Sequence, residues 1–406
     1  DPKVAAKLED SSVDVTPMVV SAGDYTVALM SDGTVWAWGD NSNGQIGNGI
    51  GGAGMIYANQ PMQVRAYMGA EEEYGDYLQN IVKIAAGKSH ALALDRDGHV
   101  YAWGDNHNSQ VGVAPNGETT LTMPIRVRSG QQEGENEYLD HIVDIAAGDA
   151  FSVAVDEDGF VYTWGSNTSG VLGVNRTYRD DRATGYTSEW MTGPATTPRK
   201  VLRGTQTGLQ TDPSEYTYAV VDPEWMQESI ENGEYETGEI YLTNIVQVAA
   251  GAKHVLALDQ WGNVYAWGDN VYGQLGNSRD MANQNYRPNP TSMAWLNETM
   301  QTVPMPANID DVTYIAAGGN NSAAVRKDGS VWVWGDNTYG QLGADTGVSA
   351  NASKSSTPIQ VRLTVNDPDD INNGKTMTAT QVAVGGTVNS NGVSTSGHIA
   401  VLTEEG

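Results

Sequence analysis

The sequence predicts an all-β fold: a β-propeller of about six four-stranded blades, with seven as the alternative, whose loop insertions carry one or two short helices. Three observations predict it. A Trp-Gly pair recurs in register at Trp38, Trp103, Trp164, Trp267 and Trp334. Each copy is preceded by a short apolar segment that ends in Gly, such as IAAG or VAAG. Between the two lies a turn dipeptide of the Asp-Gly kind, a strong short-range hairpin signal.

Residues 1–17 read as an N-terminal segment, a linker or a strand that closes the ring, and residues 18–406 as one propeller domain. Within each repeat the first strand is the segment ending in Gly. The second alternates, as in HALALD, and turns at Asp32-Gly33, Asp97-Gly98, Asp158-Gly159 or Asp328-Gly329. The third is the returning strand VYAWG, followed by a tight GQLG turn. The fourth is marked by proline near its start at Pro61, Pro124, Pro198 and Pro358, where no ladder N–H is lost. A sixth copy, VAVGGTVNSNGVSTSGHIAVLTEEG, reaches its turn without a Trp-Gly strand, so ring closure calls for strands from the N-terminal segment, from a longer precursor or from a neighbouring molecule.

Successive Trp-Gly pairs stand 65, 61, 103 and 67 residues apart, and the surplus falls in the connections. The largest insertion covers about 204–243. Within it DPEWMQESIENG has the marks of a short helix, with Asp222 as N-cap, Pro223 in the first turn and Gly233 after the end. SMAWLNETM, residues 292–300, is a second helical candidate.

Composition bounds the function. Fifty acids against 22 bases give a net charge of −28, which disfavours nucleic acid, whose binding needs clustered Lys and Arg, and disfavours anionic membrane surfaces. The same charge favours cations or basic protein surfaces. No apolar run is long enough to span a bilayer, and with no cysteine there are neither disulfides nor thiolate metal sites. The chain starts at Asp1 with no signal-like segment after it, the expectation for a processed or excised piece of a precursor.

The pattern AAG…H.LAL..DG.VYAWGDN..GQLG resembles the repeat of the regulator of chromosome condensation family of β-propellers, from about residue 18 to 406. The resemblance implies blades around a central channel and a protein-binding platform. Its precedents include a secreted bacterial inhibitor of β-lactamases, and guanine-nucleotide exchange on a small GTPase. The basic chromatin-binding tail of the latter is missing here.

The repeat residues read as scaffold. Trp38, Trp103, Trp164, Trp267 and Trp334 fill gaps between sheets, and Asp40, Asp105, Asp269 and Asp336, with Ser166 in the third copy, cap turns. His90, His254 and His398 share one repeat position with Tyr25, Phe151 and Asn321, an exchange that fits packing better than catalysis. His99, His107 and His141 lack metal spacing. No nucleophile signature appears, and the carboxylates are too many to single out a glycosidase pair. No cofactor is expected beyond Ca²⁺, for which 366–374 (NDPDDINNG), 71–77 (EEEYGDY) and 277–285 (NSRDMANQN) offer hard oxygen donors.

The insertions supply the candidate binding residues: Trp190, Trp225, Trp295, Tyr178, Tyr186 and Tyr235, aromatic anchors in acidic surroundings. The expectation is a non-enzymatic binding or structural module of a bacterial secreted or cell-surface protein, working on a protein partner or on neighbouring copies of itself. An intracellular exchange factor is the alternative, and a carboxylate-based glycan enzyme a third.

Overall fold

The computed structural model describes residues 15–51, 54–66, 77–113, 118–132, 134, 136–174, 178–179, 187–188, 194–202, 241–277, 300–307, 309–343, 353–361, 378–389 and 392–403. Among these the ordered elements are strands, and no α-helix occurs. The first sheet joins β1 (Met18–Ala22), β2 (Tyr25–Leu29), β3 (Val35–Asp40) and β4 (Tyr57–Gln63), in that order. The second repeats it with β5 (Ile81–Ala86), β6 (His90–Asp95), β7 (Val100–Asp105) and β8 (Thr120–Arg126). In the third, β9 (Ile142–Ala147), β10 (Phe151–Asp156) and β11 (Val161–Gly165) are followed by a small ladder, β12 (Tyr178–Arg179) with β13 (Thr187–Ser188), before the outer strand β14 (Ala195–Lys200).

The fourth sheet is β15 (Ile245–Ala250), β16 (His254–Asp259), β17 (Val264–Asp269) and β18 (Met300–Pro306). The fifth is β19 (Val312–Gly318), β20 (Asn321–Arg326), β21 (Val331–Asp336) and β22 (Lys354–Val361). The sixth pairs only β23 (Ala379–Val388) with β24 (Ser394–Thr403). Every four-stranded sheet is an antiparallel meander, the makeup expected of a blade. The chain divides into two compact units, residues 1–246 with 302–304, and residues 247–301 with 305–406.

Proline sits elsewhere than the sequence predicts. The outer strands begin three or four residues before it, and each proline lies inside a bulge. In the first sheet Ala37 faces Met62 and Gly39 faces Ala58, so residues 59–61 oppose Trp38 alone. The same shift recurs opposite Trp103, Trp164, Trp267 and Trp334. A bulge leaves residues outside the ladder, so an imide costs no hydrogen bond there. Pro304 is the fifth member of the series and completes the one repeat whose outer strand the sequence left unmarked. The helix expected over 292–300 lies outside the described residues except at Met300, which opens β18 instead. The helix expected at 222–233 lies wholly outside them.

In the four-stranded sheets the second strands are buried on both faces; all six positions of β6 and of β10 are inside. This follows from the alternation of Ala with Leu or Val. Large side chains fill one interface and small ones admit the neighbouring sheet on the other. Val27, Val35, Ile46, Val64, Ile84 and Trp103 form the core between the first two sheets. Leu92, Val111, Val127, Ile145 and Trp164 form the next. Each Val or Leu so buried contributes about 1.5–3 kcal/mol.

Adjacent sheets are also stitched by their turns. The carbonyl of Gly33 accepts from the Ile81 amide, that of Gly98 from Ile142, that of Gly262 from Val312, and that of Gly329 from Ala379. The residue just ahead of the new strand takes a left-handed conformation to make the join: Asn80 (φ 60°), His141 (φ 54°) and Asp311 (φ 53°). These are residue types that tolerate it best after glycine.

Candidate functional site: an aromatic face on the Gln-turn end

The repeat side chains are largely consumed by these seams. The indole Nε1 of Trp103 donates to the Gln45 carbonyl at 2.9 Å, Trp164 to Gln110 at 2.9 Å and Trp334 to Gln274 at 2.8 Å. These three and Trp267 are fully buried, whereas Trp38, on the first sheet, is half-buried. Asp40 accepts from the Ser42 amide (3.1 Å) and from Gln45 Nε2 (2.8 Å), while Asn41 Oδ1 accepts from the Ile46 amide (3.0 Å). The other copies repeat this through Asp105, Asp269 and Asp336. In the third copy Ser166 Oγ accepts from the Thr168 amide at a longer 3.4 Å. Carboxylates engaged in this way organise a turn.

His90 and His254 are buried and do the same work. His90 Nε2 meets Ser152 Oγ at 3.0 Å, and Ser152 donates to the Gln110 carbonyl at 2.8 Å, the oxygen that Trp164 also binds. His254, Ser322, Gln274 and Trp334 repeat the arrangement in the second unit. Since the serine donates onward, the histidine is the donor at Nε2 and stays neutral. Burial lowers its pKa to about 4 in His90 and about 3 in His254. His398, on the two-stranded sixth sheet, is exposed. His141 supplies the left-handed join described above.

One group of potential metal ligands occurs among the described residues, Asp95, Asp97 and His99. Its carboxylate is already used: Asp95 Oδ1 accepts the Asp97 and His99 amides, and Oδ2 takes His99 Nδ1 at 2.9 Å and the Tyr101 hydroxyl at 3.3 Å. This is an Asx-type turn. The three calcium-candidate stretches lie outside the described residues, apart from Tyr77 and Asn277.

Of the expected binding residues, Trp190, Trp225, Trp295, Tyr186 and Tyr235 lie outside the described residues, and Tyr178 opens β12. The stems of the insertions are described. Residues 203–240 leave and re-enter at a single antiparallel bridge, Leu202 with Tyr241, reinforced by the Leu242 amide on the Val201 carbonyl. The chain leaves for residues 175–193 beside that same bridge, where the Leu202 amide donates to the Gly173 carbonyl at 3.0 Å, and returns where Gly165 faces Ala195.

Sequence reasoning passed over a different set of aromatics. The turn after Trp-Gly reads DNVYGQLG and DNTYGQLG in the fourth and fifth copies, placing Tyr272 and Tyr339 where the first three have Asn43, Asn108 and Ser169. Both tyrosines are held by the turn itself, the Tyr272 amide on Gln274 Oε1 (2.8 Å) and the Tyr339 amide on Gln341 Oε1 (2.9 Å). Both hydroxyls converge on Ser394, in the turn that opens β24. Tyr339 donates to its carbonyl at 3.4 Å, and Tyr272 contacts its backbone. Val271, Tyr339 and Val393 are 44%, 59% and 47% exposed, so the cluster presents apolar surface to solvent. Partial burial, then the negative charges of Asp336 and Asp269, raise the Tyr272 pKa. The signal was in the motif, as a departure of two copies from the other three.

Four-stranded antiparallel sheets locked by indoles, with variable side chains displayed on their turns, are the makeup of a repeat β-propeller. The chain belongs to the RCC1-like domain family, whose family model matches residues 1–405. It is similar to the Ultraviolet-B receptor UVR8 of Arabidopsis thaliana, 28% identical over 83% of this chain and 68% of that protein. It is also similar to the probable E3 ubiquitin-protein ligase HERC6 of Homo sapiens, 26% identical over 79% of this chain but only 23% of that protein. Among solved structures, human WBSCR16 superposes with a TM-score of 0.58 at 19% identity, covering 97% of this chain and 76% of that one. Yeast RCC1 (Prp20), solved bound to Kap60, gives 0.57 at 20% identity over 90% of this chain and 63% of that one. At these identities the structures show a shared fold.

Proposed function

We propose that this chain is a non-enzymatic protein-binding propeller, with six blades of which the sixth is a half, and that its Tyr272–Tyr339 face docks a protein partner. The observation that carries this is the convergence of two tyrosines, from two different turns, on the single backbone of Ser394. Aromatics fixed by their own turns lose little conformational entropy when a partner covers them. With Asp269 and Asp336 beside them and a net charge of −28, the face suits a partner with a basic surface. A place on the cell surface or outside the cell belongs to the same proposal, as does a role in a larger assembly. The insertions carrying Trp190, Trp225 and Trp295 are the other candidate contact surfaces of the same proposal.

The test compares the wild-type chain with the Tyr272→Ala/Tyr339→Ala variant and with a chain lacking residues 205–240, each immobilised against proteins of its source organism. A basic protein retained by the wild type and the deletion but lost on the double variant supports the face as the site. Recovery that follows the deletion moves the site to the insertion, and equal recovery by all three removes both. Accelerated release of labelled GDP from a Ran-type GTPase would install the exchange-factor reading. Glycan turnover abolished by one carboxylate substitution would install the enzyme reading.

A further inference from the structure

The join between the second and third sheets differs from its counterparts in chemistry. His99 follows the Asp97-Gly98 turn there, and Asp140 stands two residues ahead of β9. The same two places are filled by Thr34 with Gln79, by Phe160 with Thr243 and by Asn263 with Asp310. Of these four joins, this one alone sets an imidazole against a carboxylate. A second imidazole, His141, comes next in the chain, and Glu157 from the following turn donates its amide to the His141 carbonyl.

The Asp95 carboxylate, spent on its own turn, holds His99 Nδ1 at 2.9 Å. The hydrogen of that bond belongs to the ring, so Nε2 of the neutral imidazole presents a lone pair, and it faces Asp140 Oδ1 at 3.7 Å. His141 is set in the same sense, with Nδ1 3.3 Å from Glu157 Oε1 and Nε2 4.0 Å from Asp140 Oδ2. The Asp140 carboxylate is oriented in turn: Oδ1 accepts the His141 amide at 2.8 Å and Oδ2 the Asn136 side chain at 3.2 Å. Distances of 3.7 and 4.0 Å are too long for hydrogen bonds. They are close to the roughly 3.3–3.6 Å that separates two ligand atoms of one tetrahedral ion with bonds of about 2.0–2.2 Å. Histidines that ligate metal commonly have the other ring nitrogen tied to a carboxylate, which fixes the tautomer and raises the basicity of the ligating nitrogen. Here two rings have that arrangement around one shared acid.

We propose that His99 Nε2, the Asp140 carboxylate and His141 Nε2 form a binding site for a divalent transition-metal ion of the zinc type. Asp95 and Glu157 are the outer carboxylates that aim the two rings. His99 and Asp140 are already spaced for the ion, and the exposed His141 ring closes on it by a side-chain rotation. Two nitrogens with one carboxylate suit Zn²⁺ and its neighbours, whereas Ca²⁺ takes a shell of oxygens. Three protein ligands leave a fourth position to water. The ion would tie the turn of the second sheet to the lead-in of the third, a cross-link that a chain without cysteine cannot make covalently.

The test titrates the untagged whole chain with Zn²⁺ against a chromophoric chelator, after melts in metal-free buffer have shown which variants fold. Binding of a single ion per chain is expected. His99→Gln and His141→Asn should each weaken it by at least about tenfold, and Asp95→Asn, which touches only the outer shell, by about 10–100-fold. His107→Gln is the control, an exposed imidazole beside Asp105 and outside the site, and should leave the affinity unchanged. In the wild-type chain labelled with 15N-histidine, Zn²⁺ should shift the Nε2 resonances of two of the six histidines and no others. Absence of binding, affinity that His99→Gln and His141→Asn leave unchanged, or a zinc response at other histidines overturns the proposal. The labelled wild type decides even where a variant fails to fold.

Discussion

Trp164 and Ser152 share one acceptor: both donate to the carbonyl oxygen of Gln110, on the turn of the preceding sheet, at 2.9 and 2.8 Å. His90 then donates to the serine oxygen, so four residues from two blades close on one backbone atom. Trp334, Ser322, Gln274 and His254 copy it in the second unit.

Ser152→Ala is expected to destabilise the chain by about 1–3 kcal/mol, because it strands the buried His90 Nε2 donor. Ser322→Ala should behave alike, and urea unfolding followed by tryptophan fluorescence measures both. A change no larger than that of a surface Ser→Ala control would refute the shared-acceptor account.

Gly87→Ala should cost about 1–3 kcal/mol by overpacking. Its Cβ would stand 2.3 Å from the Gly148 carbonyl oxygen and 2.3 Å from His90 Cε1, and neither is free to retreat. Gly134→Ala, whose Cβ meets nothing within 4 Å, is the comparison in open space, although its φ of 123° adds its own strain. Scanning calorimetry should rank Gly87→Ala below it.

Acid should weaken the fold through its histidines. His90 and His254 titrate at about 4 and about 3 when folded, against 6.5 when unfolded, so between these values the unfolded chain binds more protons. The stability they allow is complete above pH 6.5 and declines as the pH falls toward 4. Asp156 acts in the opposite sense: burial raises it to about 6, so folded protein gains its proton first between about 6 and 3.8. Urea midpoints across this range should fall for wild type and fall less steeply for His90→Gln/His254→Gln, in which the amide can still donate to serine. Parallel slopes would show that the two rings do not control the decline.

His141→Val should destabilise by about 1–2 kcal/mol, since a β-branched residue resists the left-handed φ of 54°, whereas His141→Asn should be close to neutral. Thermal melts of the two variants separate this backbone role from any role of the imidazole.

The blade was legible because its devices recur. Asp-Gly turns, Gly-terminated inner strands and the tryptophan all repeat in register, and repetition separates signal from chance. The bulge was not legible, since proline in a strand sequence marks an edge without saying whether it begins the strand or interrupts it. The pairing of Asn80, His141 and Asp311 with the preceding turn was hidden as well, because three different residue types meet one backbone requirement. At the candidate face the sequence held the clue in Tyr272 and Tyr339. They are two substitutions within the shared framework, where the first three copies carry a small polar residue, and lie outside the long insertions. Convergence on Ser394, more than fifty residues along the chain from either tyrosine, is a property of the fold and no spacing announces it.

The bulge opposite each indole has a bearing on how the protein behaves in crowded solution. Pro61, Pro124, Pro198, Pro304 and Pro358 all stand on outer strands, where a sheet would otherwise offer an uninterrupted row of amide donors to a stranger. A proline in the middle of that row breaks the template, a common safeguard against polymerisation through exposed edges. The residue pattern that seats the tryptophan thus also works against these five sheets pairing edge to edge with strangers.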